Sequence, residues 1–474
     1  MNRFRQISML LAIASCLGMQ AEVKMPAFFS SGMVMQRNAD CKLWGTAEKN
    51  KTVKVSASWS KESYKTQVSD DGKWQLTIKT PDAGGPYELT VSDGKELKID
   101  NVMVGELWLC SGQSNMEMPM KGYKNQPVEG ASDAILHSKN PNIRLFTVKR
   151  CASITPVDDV TGQWSEAAPK SVREFSATAY YFGRLLNEIL DIPVGLIVTA
   201  WGGSACEAWN APEWLTAFPQ VKLPQTQEEV NKTEQRCPTA LYNGMLHPLI
   251  GINIAGVIWY QGEDNWPRYS YYADLFSGMV KGWRQQWAIG EFPFYYCQIA
   301  PYDYDLITFE GQDTVCSAYL REQQWKAELM IPNSGMAVLM DAGLEKGIHP
   351  MKKQVAGERL ARLALVKTYG IEGITAESPR FSGMKIQNDT IICSFDNDKM
   401  WINCHGKYTS DLFEVAGEDR VFHKAKAWVS RSKMMVKSDE VKKPVAVRYA
   451  FKNFVEGDVF CEDLPLSSFR SDEW

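Results

Sequence analysis

The chain has 474 residues, more than one hydrophobic core usually supports, so two or three domains are expected. A hydrophobic content of 45% with 23% charged residues fits a globular protein rather than a disordered or membrane-embedded one. The formal net charge of -4 gives no sign of nucleic-acid or anionic-membrane binding.

Arg3 and Arg5 precede an apolar run from Ile7 to Leu17, with small residues near Ala21. This reads as a secretory signal over residues 1–21, too short for a spanning helix. Ile13-Ala14-Ser15-Cys16 also has the shape of a bacterial lipoprotein box, and lipid on Cys16 is the alternative. A secreted or periplasmic bacterial location is expected. The cysteines are scattered without a C-x-x-C pair, and the five histidines lack metal-ligand spacing. Export would permit some disulfides, but Cys110 and Cys297 sit in apolar runs and read as buried thiols.

Residues 22–100 carry β-rich runs at Val53–Trp59, Trp74–Ile78 and Tyr87–Val91, separated by Gly- and Asp-rich turns. Short strands at this spacing predict a sandwich-like domain. From 101 to 375 the pattern changes to alternating strands and helices. Strands are predicted at Glu106–Cys110, Val194–Ala200, Ile254–Tyr260, Phe292–Ile299 and Met336–Met340. Helices are predicted at Ala177–Leu190, with Ser176 as cap, and at Tyr272–Trp287, Leu320–Met330 and Met351–Tyr369, with Pro350 at a first helical position. Near-continuous apolar strands imply a parallel sheet covered by helices on both faces. The stretch Gln225–Arg236 reads as a polar excursion, and 376–474 turns β-rich again.

Polar groups gather just past the predicted strand ends. Ser114 follows the first strand, Gly202 and Gly203 the second, Gln261 and Glu263 the third, and Asp341 the last. Ligands of open α/β sheets bind at this edge. His349 stands shortly past Asp341, at the start of a predicted helix. A serine needs a neighbouring base to become a nucleophile, and histidine titrates in the right range. Backbone N–H groups at Ser114, Gly202 or Gly203, and the amide of Gln261, are donor types that an oxyanion needs. Each residue alone has a bland alternative as a cap or turn former; their coincidence at one sheet edge points to acyl-ester hydrolysis.

The blocks GELWLCSGQSNMEM (105–118), WGGSACEAW (201–209), WYQGEDN (259–265), Ile348-His349-Pro350 with KKQVAGERLA after it, and the closing EDLPLSSFRSDEW resemble the sialate O-acetylesterase branch of the SGNH hydrolases. The resemblance spans nearly the whole chain. It implies a three-layer α/β/α hydrolase domain flanked by β-rich domains, no cofactor, and acetyl esters of sialic acid as substrate. It also implies Ser114 as nucleophile, His349 as base and then acid, and Gln261 with Gly202 or Gly203 as oxyanion donors. Gln113, Asn115, Glu263 and Arg321 are expected to line the substrate site. Arg321, Lys352 and Arg268 are candidate cations for a sugar carboxylate. The family commonly has an acid two residues before the histidine, where this chain has Gly347. Asp341 or Glu345 could orient His349 instead, or a main-chain carbonyl could do so. Acetylated plant polysaccharide such as acetylxylan is the alternative substrate, and a glycan-binding protein with weak catalysis the alternative class.

Overall fold

In the computed structural model, residues 22–307, 316–397 and 401–474 are described. The signal segment and Cys16 lie outside them. Most of the predicted boundaries hold to within a few residues, and the helices Ala177–Leu190 and Tyr272–Trp287 and the strand Val194–Ala200 form as read.

One strand organises the molecule. Glu96–Gly112 runs for 17 residues, far beyond the predicted Glu106–Cys110. Its first half pairs antiparallel with Gly84–Ser92, which in turn pairs with Thr52–Ala57. Its second half becomes the centre of a mainly parallel sheet. The spatial order there is Ser334–Ala337, Phe294–Cys297, Gly256–Tyr260, Glu96–Gly112, Val194–Ala200, Asn140–Thr147 and Trp164–Ala167. All neighbours are parallel except the last pair, which is antiparallel. The boundary expected at 100/101 therefore falls inside a continuous strand. The alternation that ends at Gly94 hides this, because from Val102 onward every residue of the strand is buried.

Period-two geometry sends successive side chains of the central strand to opposite faces. Trp108 and Cys110 pack with Phe182 and Leu186 of helix Ala177–Leu190 and Leu360 and Leu363 of helix Lys353–Lys367. Leu107 and Leu109 pack with Phe276 and Trp283 of helix Tyr272–Trp287 and Leu320 of helix Ala318–Met330. Each fully buried apolar side chain of this kind contributes about 1.5–3 kcal/mol, which favours the layered arrangement over any exposed face. Ser176 caps its helix as expected, accepting the Ala179 N–H at 3.0 Å.

Residues 380–470 form a seven-stranded antiparallel sheet and a smaller three-stranded one. Among the described residues no helix is long and apolar enough to cross a membrane.

Candidate active site

Three strands end level with one another. Gly112 pairs with Ala200 on one side and Tyr260 on the other. The chain here must turn with no side chain: a Cβ on Gly112 would lie 2.2 Å from the Tyr260 carbonyl oxygen, and φ is +136°. Ser114 then opens the short helix Ser114–Glu117. The first N–H groups of a helix have no partner within it, so the Ser114 N–H is available at the sheet edge. Ser114 Oγ makes no hydrogen bond among the described residues, and the residue as a whole is 8% exposed.

The WGGS segment after Val194–Ala200 forms the neighbouring wall. Ser204 N–H donates to the Trp201 carbonyl at 3.1 Å, and Gly203 takes φ +73°, the left-handed position such a turn requires. A Cβ on Gly202 would sit 3.3 Å from Ser114 Cβ, so this turn lies directly against the serine. The Gly202 N–H donates at 2.8 Å to the carboxylate of Glu117, which also takes two hydrogen bonds from Arg150 at 2.7 and 2.8 Å. Gly203 N–H has no acceptor among the described residues.

Gln261 sits behind the turn rather than in the cleft. It is fully buried; Nε2 donates to the Ser204 carbonyl at 3.0 Å and to Asn265 Oδ1 at 2.7 Å, while Oε1 accepts the Tyr272 hydroxyl at 2.9 Å. Both amide hydrogens are engaged, so the expected oxyanion role is corrected to one of holding the WGGS turn. Gln113 is likewise internal, its Oε1 accepting the N–H groups of Gly262 at 3.1 Å and Asp264 at 3.3 Å.

His349 precedes its helix by more than Pro350 suggested, since the helix begins at Lys353. The histidine belongs to a loop that two contacts tie to the serine. Ile348 accepts a hydrogen bond from Asn115 Nδ2 at 3.1 Å. Tyr123 packs edge-on against the His349 ring, centroids 5.1 Å apart, and its hydroxyl reaches the Ser114 carbonyl at 3.4 Å. His349 Nδ1 lies 2.5 Å from Oε1 of Gln126. An Nδ1–H donated to that oxygen leaves Nε2 with a free lone pair, as a general base requires. Tyr123 and Gln126 stand on the two legs of a tight turn, closed by reciprocal backbone hydrogen bonds of 3.0 Å and with Asn125 at φ +60°.

Neither expected acid reaches the histidine. Asp341 forms a forked pair with Arg359 at 2.6 and 2.7 Å, and Glu345 is exposed. The geometry at Asp341 is explained by Arg359 on the following helix, a partner the motif spacing does not reveal. Sequence reading also missed Gln126. Its only signal is the Lys124-Asn125 turn.

Beneath the serine lies a buried polar cluster. Asn115 Nδ2 also donates to Glu263, and Asn115 Oδ1 accepts Lys353 Nζ. These residues are 1%, 5% and 1% exposed in the order Asn115, Glu263, Lys353, so the expected substrate contacts of Asn115 and Glu263 are corrected to internal ones. Burial pushes Glu263 above the usual carboxylate range and Lys353 down to about 7. Burial, with the Lys353 charge adding to it, holds His349 down at about 4.

The candidate cations are also relocated. Arg321 is fully buried; it donates to Ser468 Oγ at 2.9 Å, Ser317 Oγ at 3.2 Å and the Lys452 carbonyl, clamping the C-terminal segment to helix Ala318–Met330. Lys352 donates to the Asp341 carbonyl at 3.0 Å, and Arg268 pairs with Glu207 and Asp264. The guanidinium groups that border the serine are Arg150, above the Trp201 ring at 5.3 Å, and Arg236, whose Nη2 would lie 3.6 Å from a Cβ on Gly203. Their side chains are 53% and 57% exposed, enough to meet a ligand.

A serine in the turn after a central parallel strand, with a histidine loop tied to it, is an esterase arrangement. Residues 104–363, more than half of the chain, match the family described as carbohydrate esterase, sialic acid-specific acetylesterase. The chain belongs to this family of sialate O-acetylesterases. The matched stretch begins within the long central strand and ends in helix Lys353–Lys367. The chain is similar to the mouse sialate O-acetylesterase, 27% identical over 414 residues that cover 74% of this chain and 75% of that one. The human protein of the same name is 28% identical over 386 residues, covering 74% and 72%. A carbohydrate acetylesterase from Xanthomonas citri superposes with a TM-score of 0.86 at 32% identity, covering 95% of this chain and all of the other.

Proposed function

We propose that this esterase is exported and removes O-acetyl groups from sialic acids, the 9-O-acetyl ester in particular, through an acetyl-serine intermediate in an SGNH-type cleft. The observation that supports the reading is the shared level of Gly112, Ala200 and Tyr260, which brings Ser114 and the Gly202–Gly203 turn to one sheet edge, with the His349 loop tied to it through Asn115 and Tyr123.

In this mechanism Ser114 Oγ attacks the acetyl carbonyl carbon while His349 Nε2 takes its proton. The carbonyl π electrons move to oxygen, and the N–H groups of Ser114 and Gly203 face the resulting oxyanion; one such donor lowers the barrier by about 3–4 kcal/mol. The C–O bond to the sugar then breaks, and the imidazolium returns its proton to the departing sugar oxygen. Water, deprotonated by the same Nε2, attacks the acetyl-serine; the C–Oγ bond breaks, acetate leaves, and the imidazolium returns its proton to Ser114 Oγ. Gln126 keeps the ring in the required tautomer by accepting from Nδ1–H. Its neutral oxygen stabilises the imidazolium less than a carboxylate does.

The sialate assignment is supported by the family description and by the mouse and human relatives named for that substrate. Arg150 and Arg236 supply cations at the rim for the sugar carboxylate. The basic and then apolar start over residues 1–21 supports export, with lipid on Cys16 as the anchored variant. The Xanthomonas citri neighbour is named only as a carbohydrate acetylesterase, which makes acetylated plant polysaccharide the second substrate class. Acetate release from 9-O-acetylated sialoglycan and from acetylxylan, measured side by side, separates them. Faster release from acetylxylan would reject the sialate assignment while leaving the esterase intact.

A further inference from the structure

Asn115 is where three loops meet. Its side chain takes a hydrogen bond from Lys353 at the head of the last helix, and gives hydrogen bonds to Glu263 past the third strand and to the Ile348 carbonyl beside His349. Lys353 is 1% exposed, and no carboxylate lies within ion-pair distance of it among the described residues. A buried ammonium without a direct counter-ion is costly, and an apolar side chain of similar length would fill the same space without that cost. What the ammonium adds is a donor that fixes Asn115 and a positive charge four residues from His349.

The geometry points to Lys353 as a positioning residue for His349: through Asn115 it ties the histidine loop to the Ser114 turn and holds an ammonium one side-chain amide away from that loop. This rests on the functional reading above. The groups that face His349 are few. Tyr123 and Gln126 lie on one side, with Glu117 beyond Tyr123. Lys353 and Glu263 both bond Asn115, and Glu263 when ionised partly offsets the Lys353 charge. Asp341 is turned to Arg359. Below neutral pH the Lys353 amine is protonated, so its field acts on the imidazole in the range where the base would otherwise be lost. A neighbouring cation disfavours the imidazolium and lowers its pKa; removing that cation raises it.

The test is the pH profile of kcat/KM on a chromogenic acetyl ester for the wild type, Lys353→Gln and Lys353→Arg. Lys353→Gln keeps a donor for Asn115 and removes the charge. Its acid limb is expected to move up by about one pH unit, so that activity at acid pH falls roughly tenfold more than at alkaline pH. Lys353→Arg is expected to restore the limb. Glu263→Gln, which removes the opposing charge, is expected to leave the limb at or below its wild-type position. A uniform loss across pH with an unmoved midpoint in Lys353→Gln would overturn the proposal, as would an upward shift in Glu263→Gln. An NMR titration of the His349 ring in the same variants reads the same shift without requiring turnover. It therefore tests Lys353 even if no acetyl ester is cleaved, an outcome that would reject the functional reading alone.

Discussion

His349 Nδ1 meets the side-chain oxygen of Gln126 at 2.5 Å, in the place where a carboxylate would complete a triad. The chain has Gly347 where the family resemblance implies an acid; of the two candidates read from the sequence, Asp341 is taken by Arg359 and Glu345 is exposed. A neutral amide can still select the tautomer and hold the ring.

Gln126→Ala is therefore expected to lower kcat by about 10- to 100-fold with little change in KM, because only the orientation of the base is lost. Gln126→Glu, which restores a carboxylate, is expected to keep or raise kcat. Steady-state kinetics on a small acetyl ester checks both.

Asp341→Ala and Glu345→Ala have a different expected outcome. Asp341 bonds Arg359 through both oxygens, and its loss is expected to cost about 1–3 kcal/mol of stability. The folded fraction should retain far more activity than His349→Ala. Glu345→Ala, at an exposed position, should change neither. Thermal unfolding and active-site-normalised rates separate these effects.

The pH dependence has a fixed sign. His349 is held at about 4, so the neutral base is present at pH 5 and above, roughly, and is lost as pH falls through the depressed value. The acid limb of kcat/KM is expected well below the ordinary histidine value of about 6.5. A limb centred at or above that value would show that His349 is neither so buried nor so close to a positive charge.

The sheet edge was legible because apolar runs ended at Ser114, Gly202, Gln261 and Asp341, and burial on both faces leaves a near-continuous apolar signature. What those side chains do beyond the edge was not legible. Gln261 and Asp341 have the residue types of a catalytic site, yet each is taken by a partner that motif spacing does not reveal, Ser204 and Arg359. Arg321 reads as a solvated cation on a helix and is instead the clamp for Ser468. The long central strand was missed for a simpler reason: its polar first half and buried second half belong to different surroundings, so no single periodicity runs through it.

Arg321→Ala is expected to destabilise the protein by at least about 1–3 kcal/mol, since it removes the donor to Ser468, Ser317 and the Lys452 carbonyl. It should leave KM for the substrate unchanged in the folded fraction. Arg236→Gln should do the reverse, raising KM for an anionic sugar with little effect on stability. Chemical denaturation and substrate titration distinguish the two arginines.

Gly112→Ala tests the turn that presents the serine. The new Cβ would meet the Tyr260 carbonyl at 2.2 Å, so the strand end must shift. A loss of at least about 2 kcal/mol is expected, together with a fall in kcat, because Ser114 moves with the turn. Stability and kcat both near wild type would place the nucleophile elsewhere.

Acetate release from 9-O-acetylated sialic acid by wild type and by Ser114→Ala, with folding confirmed by circular dichroism, bears most directly on the assignment. The wild type is expected to release acetate, and the variant to lose activity by about 10⁴-fold or more, as expected when the nucleophile is removed. A folded Ser114→Ala protein that still releases acetate at a rate near wild type would contradict the role of Ser114.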